Sequence, residues 1–240
     1  MWHDVLALAA AIAALGYFFY GDAGRLAAMA GRADDDARRR RYRVRAAKSL
    51  LLFGGTAILI LAARGTLPML LVLPAAFAPL AAPFVTEPSG LAVALLPAIV
   101  GGSLIGMALA RARARRGRLP AMLGNFAMLL PRSRSEVRLA LGTAICAAIG
   151  EELYFRLLLP LLVTNLTGSA QAGFAVATLL FALAHRYQRW PGMIATGIAG
   201  AVLAVLYLAS GALWLAIVVH AAIDVNALIL RPWAAGMLKR

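Results

Sequence analysis

LALGTAICAAIGEELYFRLLLPLLV, residues 139–163, is an apolar run that carries three charged side chains near its middle, Glu151, Glu152 and Arg156. A transmembrane helix needs about 20 apolar residues, so the run is long enough to cross a bilayer. A charged side chain at mid-bilayer depth costs about 2.5 to 3.5 kcal/mol on insertion scales, so such groups tend to be partnered and functional. This stretch therefore predicts a membrane helix and, within it, the functional site.

The composition of the whole chain is that of a membrane protein. Of its 240 residues, 62% are hydrophobic and 14% are charged, and the mean hydropathy is +0.82. The chain is too apolar for a water-soluble domain and too long for a simple anchor. We predict an all-α fold, a polytopic transmembrane helix bundle with about seven to eight membrane segments.

The net charge of +14 has two interpretations. In a soluble protein it would suggest nucleic acid as a partner, but here Lys and Arg lie almost wholly between the apolar runs. That arrangement is the positive-inside pattern, in which basic loops stay in the cytoplasm. We therefore expect the lipid bilayer, and no nucleic acid, as a partner. The single cysteine, Cys146, excludes an intramolecular disulfide.

The N-terminal half contains four apolar runs. Residues 5–20 are predicted to be a retained first helix, because no basic n-region or cleavage site marks them as a signal peptide. Residues 21–48 carry nine Lys or Arg against four Asp, which favours a solvated cytoplasmic loop that orients the chain. Residues 49–63 and 91–110 read as crossings. Residues 67–85 hold four prolines, which predicts a broken or re-entrant segment, with two kinked spans as the alternative.

The C-terminal half is more regular. Residues 119–131 are apolar but too short to cross, so a helix in the cytoplasmic interface is expected there. Four crossings follow, at 137–163, 167–185, 191–209 and 211–230, and their basic ends all fall on one side. These four spans are predicted to form a C-terminal four-helix core.

This pattern divides the chain into three parts. We expect residues 1–136 to form the N-terminal transmembrane segments with basic cytoplasmic loops, 137–230 to form a helix bundle that carries the functional site, and 231–240 to form a cytoplasmic tail. Beyond Glu136, the bundle holds every remaining acid and histidine of the chain, namely Glu151, Glu152, Asp224, His185 and His220. A four-helix bundle can gather such side chains around one interior site.

Helical geometry assigns different roles to the two adjacent glutamates. Consecutive residues on a helix point about 100° apart, so Glu151 and Glu152 are not expected to face the same point. Glu152 lies four residues before Arg156, which predicts a structural ion pair and leaves Glu151 to face the site. His220 and Asp224 are also four residues apart, so Asp224 either holds the imidazole or points into the same pocket.

A buried carboxylate beside a buried histidine can activate a water molecule by general acid and base catalysis. This predicts hydrolysis without a protein nucleophile and without a required cofactor. No Gly-x-Ser-x-Gly elbow competes with it, and Cys146 has no polar neighbour in the sequence. The alternative is a zinc ion held by Glu151, His185 and His220, although no His-Glu-x-x-His motif supports it.

Three motifs now carry a resemblance to a known family. Glu-Glu-x-x-x-Arg at 151–156, Phe-x-x-x-His at Phe181 and His185, and His-x-x-x-Asp at His220 and Asp224 resemble the ordered motifs of the CPBP intramembrane proteases. That family includes the CAAX prenyl endopeptidases of the Rce1 type and bacterial Abi-like proteins. The resemblance covers about residues 137–230.

The resemblance implies a role for each matched position. Glu151 would activate water together with His185, His220 and Asp224 would stabilise the oxyanion, and the supporting residues would be Glu152, Arg156 and Phe181. The prenyl-protease members have Asn where this chain has Asp224, and an ionised Asp cannot donate a hydrogen bond. Either Asp224 is protonated, or it orients His220 and another group supplies the donor.

The resemblance also implies an endopeptidase with its site towards the cytoplasm and a membrane-associated protein or peptide as substrate. The richness of the chain in Ala and Arg favours a bacterial inner membrane. Two alternatives belong to other classes. The first is a non-enzymatic bacteriocin-immunity or scaffold protein. The second is a proton-coupled transporter, since buried Glu, His and Asp also serve proton relays. The absence of an internal repeat in the sequence disfavours the transporter.

Overall fold

The computed structural model describes residues 2–29 (side chains to residue 20), 35–118 and 130–238. Within these ranges the chain is helical and contains no β-strand, which confirms the predicted all-α class. The main helices are α1 (Trp2–Met29), α2 (Asp35–Ala63), α3 (Pro88–Arg115), α4 (134–167), α5 (Ala170–Ala184), α6 (Arg189–Ser210) and α7 (Leu213–Ala234).

Five of the described helices are long and apolar enough to cross a membrane, namely Trp2–Tyr20 in α1, all of α2 and α3, Arg186–Ser210 around α6, and α7. Helix α4 is helical through the whole of the apolar run 139–163, and α5 is a shorter apolar helix. The chain is therefore an integral membrane protein, and the predicted polytopic helix bundle is confirmed.

The basic segment before the second crossing differs from its prediction. Residues 35–48 are not a solvated loop but the first half of α2, which continues without a break into the crossing that starts at Ser49. Arg38 is buried, and its guanidinium donates at 3.0 Å to both carboxylate oxygens of Glu136 and at 2.7 Å to the Leu130 carbonyl. The number of basic residues predicts on which side of the membrane a segment lies. It does not reveal that one of these residues, Arg38, has a buried partner on a distant helix.

The proline-rich segment is broken, as predicted. It consists of a short piece at Leu67–Leu70 and a second at Ala75–Phe84, rather than one continuous helix. Prolines at the first turns of these pieces fit the fact that proline lacks the N–H needed in a helix interior. Most of the interfacial helix expected at 119–131 falls on residues 119–129, which lie outside the described residues.

Helix α4 is the centre of the bundle. Residues 154–164 are all buried, and the Tyr154 hydroxyl donates to the Ala11 carbonyl at 2.7 Å, which joins α4 to α1. Helix α2 approaches α4 at Gly150, where an added Cβ would lie only 2.0 Å from the Ser49 carbonyl oxygen. Glycine at this position therefore allows the backbone of α2 to lie against the part of α4 that carries the charged stretch.

Candidate active site

Three helices bring one carboxylate and two imidazoles together. Glu151 lies on α4, His185 directly follows α5, and His220 lies on α7. Glu151 Oε2 is 3.8 Å from His185 Nε2 and 3.9 Å from His220 Nε2, and all three residues are buried. These distances are longer than a direct hydrogen bond. A water molecule bound beside the three atoms can therefore bridge them.

The outer nitrogen of each imidazole is fixed by an acceptor. His185 Nδ1 donates to the Phe181 backbone carbonyl at 2.9 Å, and His220 Nδ1 donates to Glu152 Oε1 at 2.7 Å. A carbonyl and a carboxylate only accept, so both rings carry a hydrogen on Nδ1. Each Nε2 therefore faces Glu151, with a lone pair when the ring is neutral and with an N–H when it is protonated.

Glu152 supports the site through a second contact, with His220, that the predicted pair with Arg156 did not include. The predicted pair with Arg156 is present, with Arg156 Nε 3.2 Å from Glu152 Oε2. The other carboxylate oxygen of Glu152, Oε1, accepts the hydrogen bond from His220 Nδ1. The two glutamates thus approach different nitrogens of the His220 ring, Glu152 at Nδ1 and Glu151 at Nε2. They point in different directions from α4, and the two ring nitrogens are far enough apart to meet both.

Arg156 and Phe181 pack behind this group, and both are buried. The Arg156 guanidinium carbon is 4.2 Å from the Phe181 ring centroid, and its Nη2 donates to the Gly200 carbonyl at 3.2 Å. The Phe181 ring centroid is 4.7 Å from that of His185 and 6.1 Å from that of His220. A Cβ on Gly200 would lie 2.7 Å from the Phe181 ring, so the absence of a side chain there permits this packing.

Asp224 lies in the same pocket but does not hold His220 by a hydrogen bond. Its Oδ2 is 3.9 Å from His220 Nε2, and His220 Nδ1 is already bound to Glu152. The first of the two roles predicted for Asp224, holding the imidazole, is therefore filled by Glu152, and the second, pointing into the pocket, is the one observed. Asn226 also lines the pocket, and its Oδ1 has no hydrogen-bond partner among the described residues.

Three π-helical segments border the site, and no sequence pattern indicated these segments. They are Ser49–Gly55 in α2, Leu153–Leu158 in α4 and Asn226–Leu230 in α7. The first begins at Ser49, whose hydroxyl oxygen is 3.5 Å from Glu151 Oε1. The second begins directly after Glu152, and the third begins two residues after Asp224. π-Helical turns are rare and occur frequently at functional sites.

The site opens into a pocket of about 990 Å³. Helix α3 contributes mostly small and apolar residues to its wall, whereas α4 contributes Glu151. Three arginines also line the pocket, Arg45 from α2, Arg113 from α3 and Arg231 from α7. One pocket is thus lined both by the acids and imidazoles of the site and by three arginines, one each from α2, α3 and α7.

Arg45 and Tyr187 are two pocket residues that the sequence reasoning missed. The Arg45 guanidinium carbon is 4.3 Å from the Tyr187 ring centroid, and that ring is 5.8 Å from the His185 ring. Arg45 lies in the basic segment that was expected to be solvated, and Tyr187 lies in the turn between two spans. The position of Tyr187 two residues after His185 was the only available indication.

The zinc alternative requires a group of side chains arranged around one metal ion, and this can be compared with the part of the chain that the structure describes. There, no group of three or more His, Cys, Asp or Glu side chains has the arrangement needed to hold a metal ion. The prediction of hydrolysis without a required cofactor, and the zinc set of Glu151, His185 and His220, both stay open to a chelation experiment.

Comparison with known protein families matches residues 133–226 to the family described as type II CAAX prenyl endopeptidase, Rce1-like. The matched segment begins at the serine that caps α4 and contains all of the predicted site residues. No curated protein and no solved structure is significantly similar to the chain. The match confirms the resemblance drawn from the three motifs, and at family level it implies a protease that acts on a membrane-associated protein.

Proposed function

We propose, starting from the match of residues 133–226 to the Rce1-like endopeptidase family, that the protein is a glutamate-type intramembrane endopeptidase. Its substrate is a membrane-associated protein or peptide. The observation that carries the proposal is the meeting of three separate motifs at one buried atom, Glu151 Oε2, which lies 3.8 Å from His185 Nε2 and 3.9 Å from His220 Nε2. The catalytic unit is the segment 137–230.

In this mechanism Glu151 is the general base. Its carboxylate takes a proton from the bridging water while the water oxygen attacks the carbonyl carbon of the peptide, and the C=O electron pair moves onto the carbonyl oxygen. Neutral His185 accepts the second water hydrogen at Nε2 and so orients the water. Protonated His220 donates from Nε2 to the new oxyanion. When the C–N bond breaks, the amine leaves with the proton that Glu151 had taken.

The pocket also suggests on which side of the membrane the substrate is cleaved. Arg45, Arg113 and Arg231 line it, and basic residues at the ends of spans mark the cytoplasmic side. We place the site towards the cytoplasm, in the inner membrane of a bacterial cell. The residues outside 137–230 would then enclose the catalytic unit and contribute part of the pocket wall.

The test compares the termini of membrane proteins in host cells that carry either the wild type or Glu151→Gln at equal abundance. Glutamine keeps the shape of the side chain but removes the base, so we expect a defined set of new termini to disappear in the variant. Glu87→Gln is the matched control, because Glu87 is exposed and lies outside the pocket. Identical termini in all three strains would contradict protease function and favour a scaffold or a carrier.

A chelation experiment tests the cofactor prediction. We expect the purified protein to keep its activity after treatment with 1,10-phenanthroline and dialysis, because the proposed base is a carboxylate. Activity that is lost on chelation and restored by zinc would instead assign Glu151, His185 and His220 to a metal site.

A further inference from the structure

Tyr187 is a pocket residue that the proposed mechanism does not use. It lines the pocket together with Glu151, His185 and His220, and its ring lies against that of His185. Its hydroxyl also lies within electrostatic range of Arg45, Glu151 and Asp224. A phenol in this position can act on a substrate bound between the histidines.

The hydrogen-bond partners of the Tyr187 hydroxyl fix its direction. Arg45 Nη2 donates to the hydroxyl oxygen, and Gln188 Nε2 donates to it at 3.0 Å. Gln188 is held in this orientation because its Oε1 accepts from the Thr196 hydroxyl at 3.0 Å. In the described part of the chain, the hydroxyl oxygen bonds only to these two donors, so both of its lone pairs are occupied. Its own hydrogen is the one remaining group that can bond to a ligand.

The site needs such a donor. An oxyanion is stabilised by hydrogen-bond donors fixed in place before the reaction, and protonated His220 supplies one from Nε2. Asp224 faces the same nitrogen at 3.9 Å, and an ionised carboxylate there can only accept. With Asp224 ionised, a second donor is therefore expected from another part of the pocket wall.

We propose that Tyr187 is a catalytic residue, the second oxyanion donor, which gives a hydrogen bond to the carbonyl oxygen of the scissile peptide. No covalent bond of the phenol breaks: its O–H forms a hydrogen bond to the developing oxyanion, and the proton stays on the phenol oxygen. Arg45 is a positioning residue, because its guanidinium packs on the ring and donates to the hydroxyl oxygen, which makes the phenol hydrogen a stronger donor. This inference rests on the proposed function.

The experiment uses a quenched fluorescent peptide made from a terminus that is lost in the Glu151→Gln strain, with the full-length protein in detergent. For Tyr187→Phe we expect kcat to fall about 10²- to 10³-fold, the usual effect of losing one oxyanion donor, with KM unchanged. A phosphonate analogue of the same peptide, which mimics the tetrahedral intermediate, should bind more weakly by the same factor.

Tyr207→Phe is the matched control. The Tyr207 hydroxyl is buried, has no hydrogen-bond partner among the described residues and does not line the pocket. Its removal should leave kcat, KM and phosphonate affinity as in the wild type. A Tyr187→Phe protein with wild-type kcat, or with a raised KM and an unchanged kcat, would overturn the proposal.

Arg45→Met tests the positioning role, and its loss of kcat relative to the wild type can be measured even if Tyr187→Phe does not fold. Its kcat should fall by less than that of Tyr187→Phe, and the double variant should be no slower than Tyr187→Phe alone, because both changes act through one hydroxyl. Additive losses would overturn the role of Arg45. The function and the inference fail separately: wild-type termini in Glu151→Gln cells contradict the protease, whereas full kcat in Tyr187→Phe contradicts only the oxyanion donor.

Discussion

Helices α3 and α4 line the same pocket but differ in almost every other respect. Among its 28 residues α3 buries a single one, Ala110, and its exposed apolar side chains are suited to contact with lipid. Helix α4 buries all of its residues from 154 to 164 and carries Glu151, Glu152 and Arg156. In a bilayer, an apolar side chain gains little by moving from lipid to protein, so burial of α4 must rest on close packing and polar contacts.

The comparison separates two roles in one pocket. Helix α4 supplies the reacting group and is fixed by contacts on all sides, whereas α3 closes the pocket with few contacts. Substitutions of the same chemical type should therefore have opposite or very different effects on the two helices. Unfolding in detergent micelles can measure this difference directly.

The largest difference is expected for arginine. Arg156→Met would remove the arginine partner of the buried Glu152, and removing one partner of a buried pair destabilises by about 3 to 5 kcal/mol. Arg115→Met on α3 removes an exposed charge and should change the free energy of unfolding by no more than about 0.5 kcal/mol. Denaturant titration of both variants provides the measurement. Equal losses would mean that α4 is not the central support of the bundle.

Glycine provides the next contrast. Gly150→Ala would place a Cβ 2.0 Å from the Ser49 carbonyl oxygen, and because backbone must move, we expect a loss of about 1 to 3 kcal/mol. Gly101→Ala on α3 meets nothing within 4 Å and should stabilise the helix by about 0.5 to 1 kcal/mol. Opposite shifts of the unfolding midpoint are the expected result. A neutral Gly150→Ala would show that α2 and α4 approach less closely than described.

Much of the candidate site could be predicted, because polar and charged residues are easily recognised within apolar runs of the sequence. Glu151, His185 and His220 each interrupt a hydrophobic run, and their convergence followed from the need to shield such groups from lipid. The i, i+4 spacing also identified the pair of Glu152 with Arg156. These inferences needed only the composition and period of single helices.

The remainder depended on contacts between helices, which single-helix patterns do not contain. Glu152 reaches His220 because an imidazole has two nitrogens on different sides, a fact that the angle between adjacent residues does not reveal. Arg38 and Arg45 looked like members of one basic run, yet the first pairs with Glu136 and the second packs on Tyr187. Both charges in this basic segment were interpreted only as orienting the chain, although each has a partner in a distant part of the fold.

The smallest contrast lies at the first residues of the two helices. Ser133 caps α4, where its hydroxyl accepts from the Glu136 backbone N–H at 3.3 Å, whereas Glu87 precedes α3 without such a bond from its side chain. Loss of a serine cap costs about 1 kcal/mol, so Ser133→Ala should lower the free energy of unfolding by that amount. Glu87→Ala should leave it unchanged. If both variants unfolded alike, the stability of the start of α4 would not depend on its cap and would instead depend on the contact between Arg38 and Glu136 at the same end of the helix.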